Sequence, residues 1–254
     1  MITLSERQIQ LWLAFRDEIS DPGLLESYRL LMSEAERARE LRFQFDQDRT
    51  EYRIARALVR NVLSRYAPVE PGAWQFGANQ YGKPEVLNDE VAGIGLQFNL
   101  AHSHGLIVLA VSKRRAIGVD VENVGRRRIS LDIADRYFAP AEVAELASVA
   151  ADRRRDSFFR YWTLKESYIK ARGMGLSIPL DKFSFHFSAP QTIDIRIDAD
   201  LADDPGRWDF WQFRPSADYM VAVCAERRAG PPPMLEVMRV VPARMEQTLH
   251  PTFL

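Results

Sequence analysis

The chain has 254 residues, 46% of them hydrophobic, enough to bury a core well beyond the size at which small domains become marginal. Its 34 Lys and Arg stand against 35 Asp and Glu, a balance that gives no general electrostatic case for nucleic acid or a membrane surface, so any anion site must be local. One cysteine excludes an internal disulfide, the amino terminus lacks the basic and apolar regions of a secretion signal, and no apolar run approaches the ~20 residues that span a bilayer. The expectation is a cytoplasmic protein, with Cys224 an inert buried thiol.

In chain order, Ser33-Glu-Ala-Glu36 has capping-box spacing, and Ile54, Leu58, Val62 and Tyr66 recur every four residues, which predicts one helix or two ending before Pro68. Residues 72–95 are rich in turn formers and read as loops and short strands. Residues 96–100 and 106–111 read as strands, followed by a third over 116–122. Helices are predicted over 141–151 and 152–172, the second stopped by Gly173. Phe183, Phe185 and Phe187 alternate with polar residues, and residues 192–197, 208–213 and 219–225 extend the strand count. A break near 112–116 divides the chain into halves of 1–112 and 113–228. Gly230-Pro-Pro-Pro233 then leads into a linker and edge segment over 229–254.

Asp120 and Glu122 lie two apart in the strand Ala116-Ile-Gly-Val-Asp-Val-Glu122, so they share one face while Val119 and Val121 take the other. Two like charges on one face call for a cation, and hard carboxylate oxygens suit magnesium, which binds at about 2.0–2.1 Å and completes its shell with water and phosphate. In Trp162-Thr-Leu-Lys-Glu-Ser-Tyr-Ile-Lys170, the residues Trp162, Glu166 and Lys170 fall along one helix face. Alone, Glu166 and Lys170 read as a surface pair worth a few tenths of a kcal/mol; beside Asp120 and Glu122 they read as a phosphate site. His102 and His104 lack further ligands at zinc spacing. Gly77 to Lys83 matches most of a phosphate-cradling loop, but Pro84 stands where that loop needs a hydroxyl. The nucleophile-elbow and dinucleotide glycine motifs are absent.

Tyr81-Gly-Lys-Pro84, Phe98-Asn-Leu-Ala-His102, Ile117-Gly-Val-Asp-Val-Glu122, Trp162 to Lys170 and Gly175-Leu-Ser-Ile-Pro-Leu180 together resemble the 4′-phosphopantetheinyl transferases of the surfactin-synthetase-activating type. The resemblance implies an α/β (α+β) fold, a pseudo-dimer of two similar halves with the active site in the cleft between them. It implies a monomer that transfers the phosphopantetheine arm of coenzyme A to a serine of an apo acyl or peptidyl carrier protein. Carried over by position, Asp120, Glu122 and Glu166 are metal ligands for magnesium, with manganese the alternative. Glu166, Lys170 and Asp120 are catalytic, and Lys83, His102, Arg39, Arg53, Lys165 and Lys170 contact coenzyme A.

Two departures touch the nucleotide end. Ala101 replaces a serine beside the histidine, and Glu51 stands where a coenzyme-A-binding arginine is expected; Arg49, Arg53 or Arg56 could substitute, with Arg53 favoured. The resemblance places carrier contacts near residues 131–138, with core packing the alternative for Ile133, Tyr137 and Phe138. By charge alone, Arg126 to Arg128 read as a solvated loop or as a patch that steers an acidic carrier. Two other classes remain open: a non-catalytic carrier-binding relative, and another magnesium-dependent phosphotransferase.

Overall fold

The structure is a computed structural model that describes residues 1–125, 132–189 and 191–254, so Arg126 to Arg128 and Leu131 lie outside the described residues. The elements run β1 (Gln8–Phe15), α1 (Pro22–Leu30), α2 (Glu34–Glu40), α3 (Asp46–Leu63), β2 (Phe76–Ala78), β3 (Pro84–Val86), β4 (Leu96–Ser103) and β5 (Leu106–Lys113). They continue with β6 (Ile117–Asn123), α4 (Asp132–Tyr137), α5 (Pro140–Ser148), α6 (Ala151–Arg172), β7 (Phe183–Ala189), β8 (Thr192–Ile197), β9 (Trp208–Ser216) and β10 (Tyr219–Glu226). β11 (Met234–Val241), β12 (Met245–Leu249) and β13 (Thr252–Phe253) complete the chain. The fold is mixed α/β. Two compact units form, one from residues 1–78, 84–114 and 233–250, the other from 79–83, 115–232 and 251–254.

The first unit is a sheet of order β12-β11-β1-β5-β4, with β1 parallel to β11 and antiparallel to β5. Trp12, Ala14, Ile107, Leu109 and Phe98 form one core with Ile54, Leu58, Val62 and Tyr66 of the α3 stretch, the four-residue repeat legible in the sequence. Trp12 donates its indole N–H to Tyr66 Oη at 2.9 Å, so the large buried aromatics leave that polar group satisfied. Ser33 and Glu36 close the expected capping box on α2. No local pattern in residues 8–30 marks an element, yet β1 is the middle strand of this sheet, and Asp21 caps α1 by accepting from Gly23 and Leu24 N–H. Residues 235–241 were expected at a sheet edge; β11 instead lies between β1 and β12.

The second unit is a sheet of order β13-β9-β10-β6 with α6 along one face. That face carries Gly118, Asp120 and Glu122 beside Cys224, Ala222 and Met220 of β10. Val119 and Val121 occupy the other face and are buried, as the alternation requires. Cys224 is fully buried, and burial raises its thiol well above the ordinary value, consistent with an inert side chain. α6 ends at Gly173, which takes the left-handed conformation at φ 67°. Residues 79–83 brace this end: Asn79 Nδ2 donates to Gly173 O at 2.9 Å, and Lys83 Nζ to Ile117 O at 3.1 Å and Ala171 O at 3.3 Å.

Gly118 sets how closely α6 approaches the sheet. A Cβ there would lie 2.1 Å from Ser167 O and 2.3 Å from Ala171 N, both backbone atoms of the helix. Gly118→Ala is therefore expected to destabilise the fold by at least ~2 kcal/mol, the upper range for overpacking, measured as a lower urea midpoint. A loss under ~0.5 kcal/mol would show that the helix can shift freely.

Candidate active site

From Tyr161 to Ala171, α6 is buried except at Trp162, Glu166 and Lys170, which form a half-open stripe, as their four-residue spacing predicts. The stripe lies over β6. Lys170 Nζ donates to Asp120 Oδ1 at 2.6 Å, and Trp162 Nε1 donates to Glu122 Oε1 at 3.1 Å. Glu122 pairs with the earlier turn of α6 and Asp120 with the later one, so strand and helix run antiparallel.

Burial pushes the Asp120 carboxyl up to about 7; Lys170 opposes this, and Glu166 and Glu122 push it further up. Burial also works against the Lys170 ammonium, but the Asp120 carboxylate, then Glu166 and Glu122, outweigh it and hold its pKa above the usual lysine value. The three carboxylates and the lysine therefore act as one electrostatic cluster. Asp120 Oδ2 is buried and has no hydrogen-bond partner. A buried carboxylate oxygen left unsatisfied is costly, and an oxygen-seeking cation relieves that cost. Among the described residues, no three His, Cys, Asp or Glu side chains are already gathered tightly enough to hold an ion. The donor set fits magnesium in chemistry: hard oxygens, an orphaned lone pair and an excess of negative charge.

Lys165 corrects the sequence reading. Its ammonium is fully buried and spends its three N–H groups on Leu180 O at 2.7 Å, Phe183 O at 2.6 Å and the Glu142 carboxylate at 2.7 Å. Glu142, missed in the sequence, also accepts from Ala139 N–H and Phe185 N–H, so the pair ties α5, α6 and β7 together. Lys165 has no donor left for coenzyme A. Its spacing gave no warning: five residues from Lys170, it turns to a different side of the same helix.

Arg39, Arg53 and His102 belong to the first unit. Arg39 is exposed, with its guanidinium 5.9 Å from the Tyr52 ring centroid. Arg53, favoured as the substitute at the Glu51 position, instead donates to the buried carboxylate of Glu40, which Arg29 also pairs. His102 lies exposed near the end of β4, opposite Ile107. In the carrier-contact stretch, Phe138 stacks on Phe158 at 5.2 Å and on Trp162 at 6.4 Å, so it belongs to the core. Tyr137 stays 49% exposed.

A family profile described as "4'-phosphopantetheinyl transferase superfamily" matches residues 116–224, and one described as "4'-phosphopantetheinyl transferase, N-terminal" matches residues 22–114. The 4'-phosphopantetheinyl transferase HetI of Nostoc sp. is 37% identical over 177 residues, 69% of this chain and 73% of its own. The chain belongs to the 4′-phosphopantetheinyl transferase superfamily. The superfamily member Sfp of Bacillus subtilis (strain 168) is 32% identical over 200 residues, covering 79% of this chain and 84% of its own. The solved "Chronobacterium ammoiniagenes apo-ACPS structure" overlaps 45% of this chain and 98% of its own, at TM-score 0.34 and 15% identity, too slight a likeness to bear on the site. The profile over 116–224 spans the Asp120, Glu122, Glu166 and Lys170 cluster of this transferase-superfamily chain.

Lys165→Met would leave Glu142 buried and uncompensated, at an expected cost of ~3–5 kcal/mol in urea unfolding, and adding Glu142→Gln should recover part of it. A near-neutral Lys165→Met that weakens coenzyme A binding would return Lys165 to the substrate.

Proposed function

We propose that this protein transfers the 4′-phosphopantetheine arm of coenzyme A to a serine of an apo acyl or peptidyl carrier protein, as a cytoplasmic monomer. The observation that carries this reading is the Lys170–Asp120 contact, with the second Asp120 oxygen unpartnered beside Glu122 and Glu166. A module that only bound carriers would have no use for that buried charge. Family membership supports the same activity. No helix among the described residues is long and apolar enough to cross a membrane.

In this mechanism Glu166 takes the proton from the carrier serine hydroxyl. The serine oxygen forms a bond to the phosphorus of the pantetheine phosphate as the pyrophosphate bridge breaks, and adenosine 3′,5′-bisphosphate leaves. Lys170, held on Asp120, presents a fixed ammonium to the transferred phosphate, a charge that needs no reorganisation during reaction. Trp162 fixes the Glu122 carboxylate through its indole N–H. Asp120, Glu122 and Glu166 would hold magnesium, which when bound neutralises negative charge on phosphate oxygens. His102 and Arg39 hold the phosphates of coenzyme A. Lys83, which donates to the backbone carbonyls of Ile117 and Ala171, contacts the nucleotide end of coenzyme A in this reading.

General-base assistance supplies ~10²–10⁴-fold, so Glu166→Gln should lower transfer by that factor while the unfolding midpoint stays near wild type. Intact mass of several apo-carriers after incubation with coenzyme A and magnesium reads it directly. No mass gain on any carrier with the wild-type protein would favour a non-catalytic binding relative, and near-wild-type transfer by Glu166→Gln would remove Glu166 as the base.

A further inference from the structure

Gln212 is a buried polar side chain outside the residues considered so far. It lies on β9, and its row crosses the sheet through Ala222 of β10 to Asp120 of β6, on the face that carries α6. At 1% exposure, its amide is spent on the helix. Nε2 donates to Arg160 O at 3.0 Å and to Thr163 Oγ1 at 2.9 Å, while Oε1 accepts from Arg160 Nε at 3.3 Å. The strand that carries it is tied along its other edge, where β13 pairs with Phe213 and Arg214 and Leu254 N–H donates to Gln212 O at 2.9 Å. All of these residues belong to the second unit.

The grip falls on the turn that carries Trp162. Thr163 Oγ1 also donates to Phe159 O at 2.8 Å, and back-bonding of this kind tends to bend a helix. Consecutive residues leave a helix about 100° apart, so Gln212 holds this turn on the side next to the one from which Trp162 reaches Glu122. Stacking on Phe158 at 5.9 Å and on Phe138 at 6.4 Å sets the plane of the indole. Apolar contact is non-directional and does not fix how far the ring extends toward β6. The amide hydrogen bonds are directional, and they do.

We propose that Gln212 is a positioning residue for the metal site: through Thr163 it sets the turn from which Trp162 holds Glu122. The inference deepens the metal reading of Asp120, Glu122 and Glu166 above and rests on it. Groups that orient a ligating carboxylate govern its affinity for the ion without touching it. Lys170 meets Asp120 about two turns further along α6 than Thr163, so the clamp acts on the Glu122 side of the cluster.

Calorimetric titration of magnesium chloride into the wild type, Gln212→Met, Trp162→Phe and the double variant tests this without turnover. Trp162→Phe keeps a ring but loses the donor, and should weaken magnesium binding ~10-fold or more. Gln212→Met keeps nearly the same volume but loses the amide, and should show part of that loss, ~3–10-fold. Because both act through one contact, the double variant should match Trp162→Phe to within ~2-fold. Thr163→Val should reproduce the Gln212→Met loss, and if Gln212→Met does not fold, Thr163→Val with Trp162→Phe completes the same comparison. Thr163→Ser, which retains the hydroxyl, should bind magnesium as the wild type does. Wild-type affinity in Gln212→Met or Thr163→Val, or losses that multiply in the double variant, would overturn the assignment. A wild-type protein that binds no magnesium would instead contradict the metal reading itself.

Discussion

The close approach of α6 to β6 at Gly118 is the constraint on which the rest of the second unit depends. With no Cβ in the way, the helix backbone lies directly on the strand, and the side chains that follow Gly118 on that face meet the helix at fixed heights. Asp120 then stands opposite Lys170 and Glu122 opposite Trp162. A larger residue at 118 would lift the helix and separate these pairs together. The site is thus a consequence of packing as much as of charge.

Two lysines on this helix illustrate how burial and completeness decide a role. Lys165 faces inward, meets Glu142 and two carbonyls, and leaves no donor or charge unmatched. Such a pair is costly to break and has no chemistry to offer. Lys170 faces the half-open stripe, and its partner Asp120 keeps one oxygen unsatisfied while Glu122 and Glu166 add negative charge. The first arrangement is closed and structural. The second has capacity left over, which is what a binding site requires.

The chemistry was more legible in the sequence than the scaffold. A period of two placed Asp120 and Glu122 on one face, and a period of four aligned Trp162, Glu166 and Lys170; both are local rules, and both held. β1 gave no alternation because its interior residues are buried on both faces, and its neighbour β11 comes from the far end of the chain. No local pattern encodes such a pairing. The same limit hid Glu142 as the partner of Lys165, Glu40 as the partner of Arg53, and Arg16 as the partner of Glu51. Residue type and spacing showed which charges were present, whereas the fold determined which of them were already spent.

Thermal unfolding with and without magnesium most directly tests whether the α6–β6 cluster is the metal and phosphate site. At a magnesium concentration about 100 times its Kd, binding to the native state alone adds ~2.7 kcal/mol. The wild-type protein should gain on that scale, and Asp120→Asn, Glu122→Gln and Glu166→Gln should each lose most of the gain. No gain in the wild type, or one that survives all three substitutions, would contradict the account.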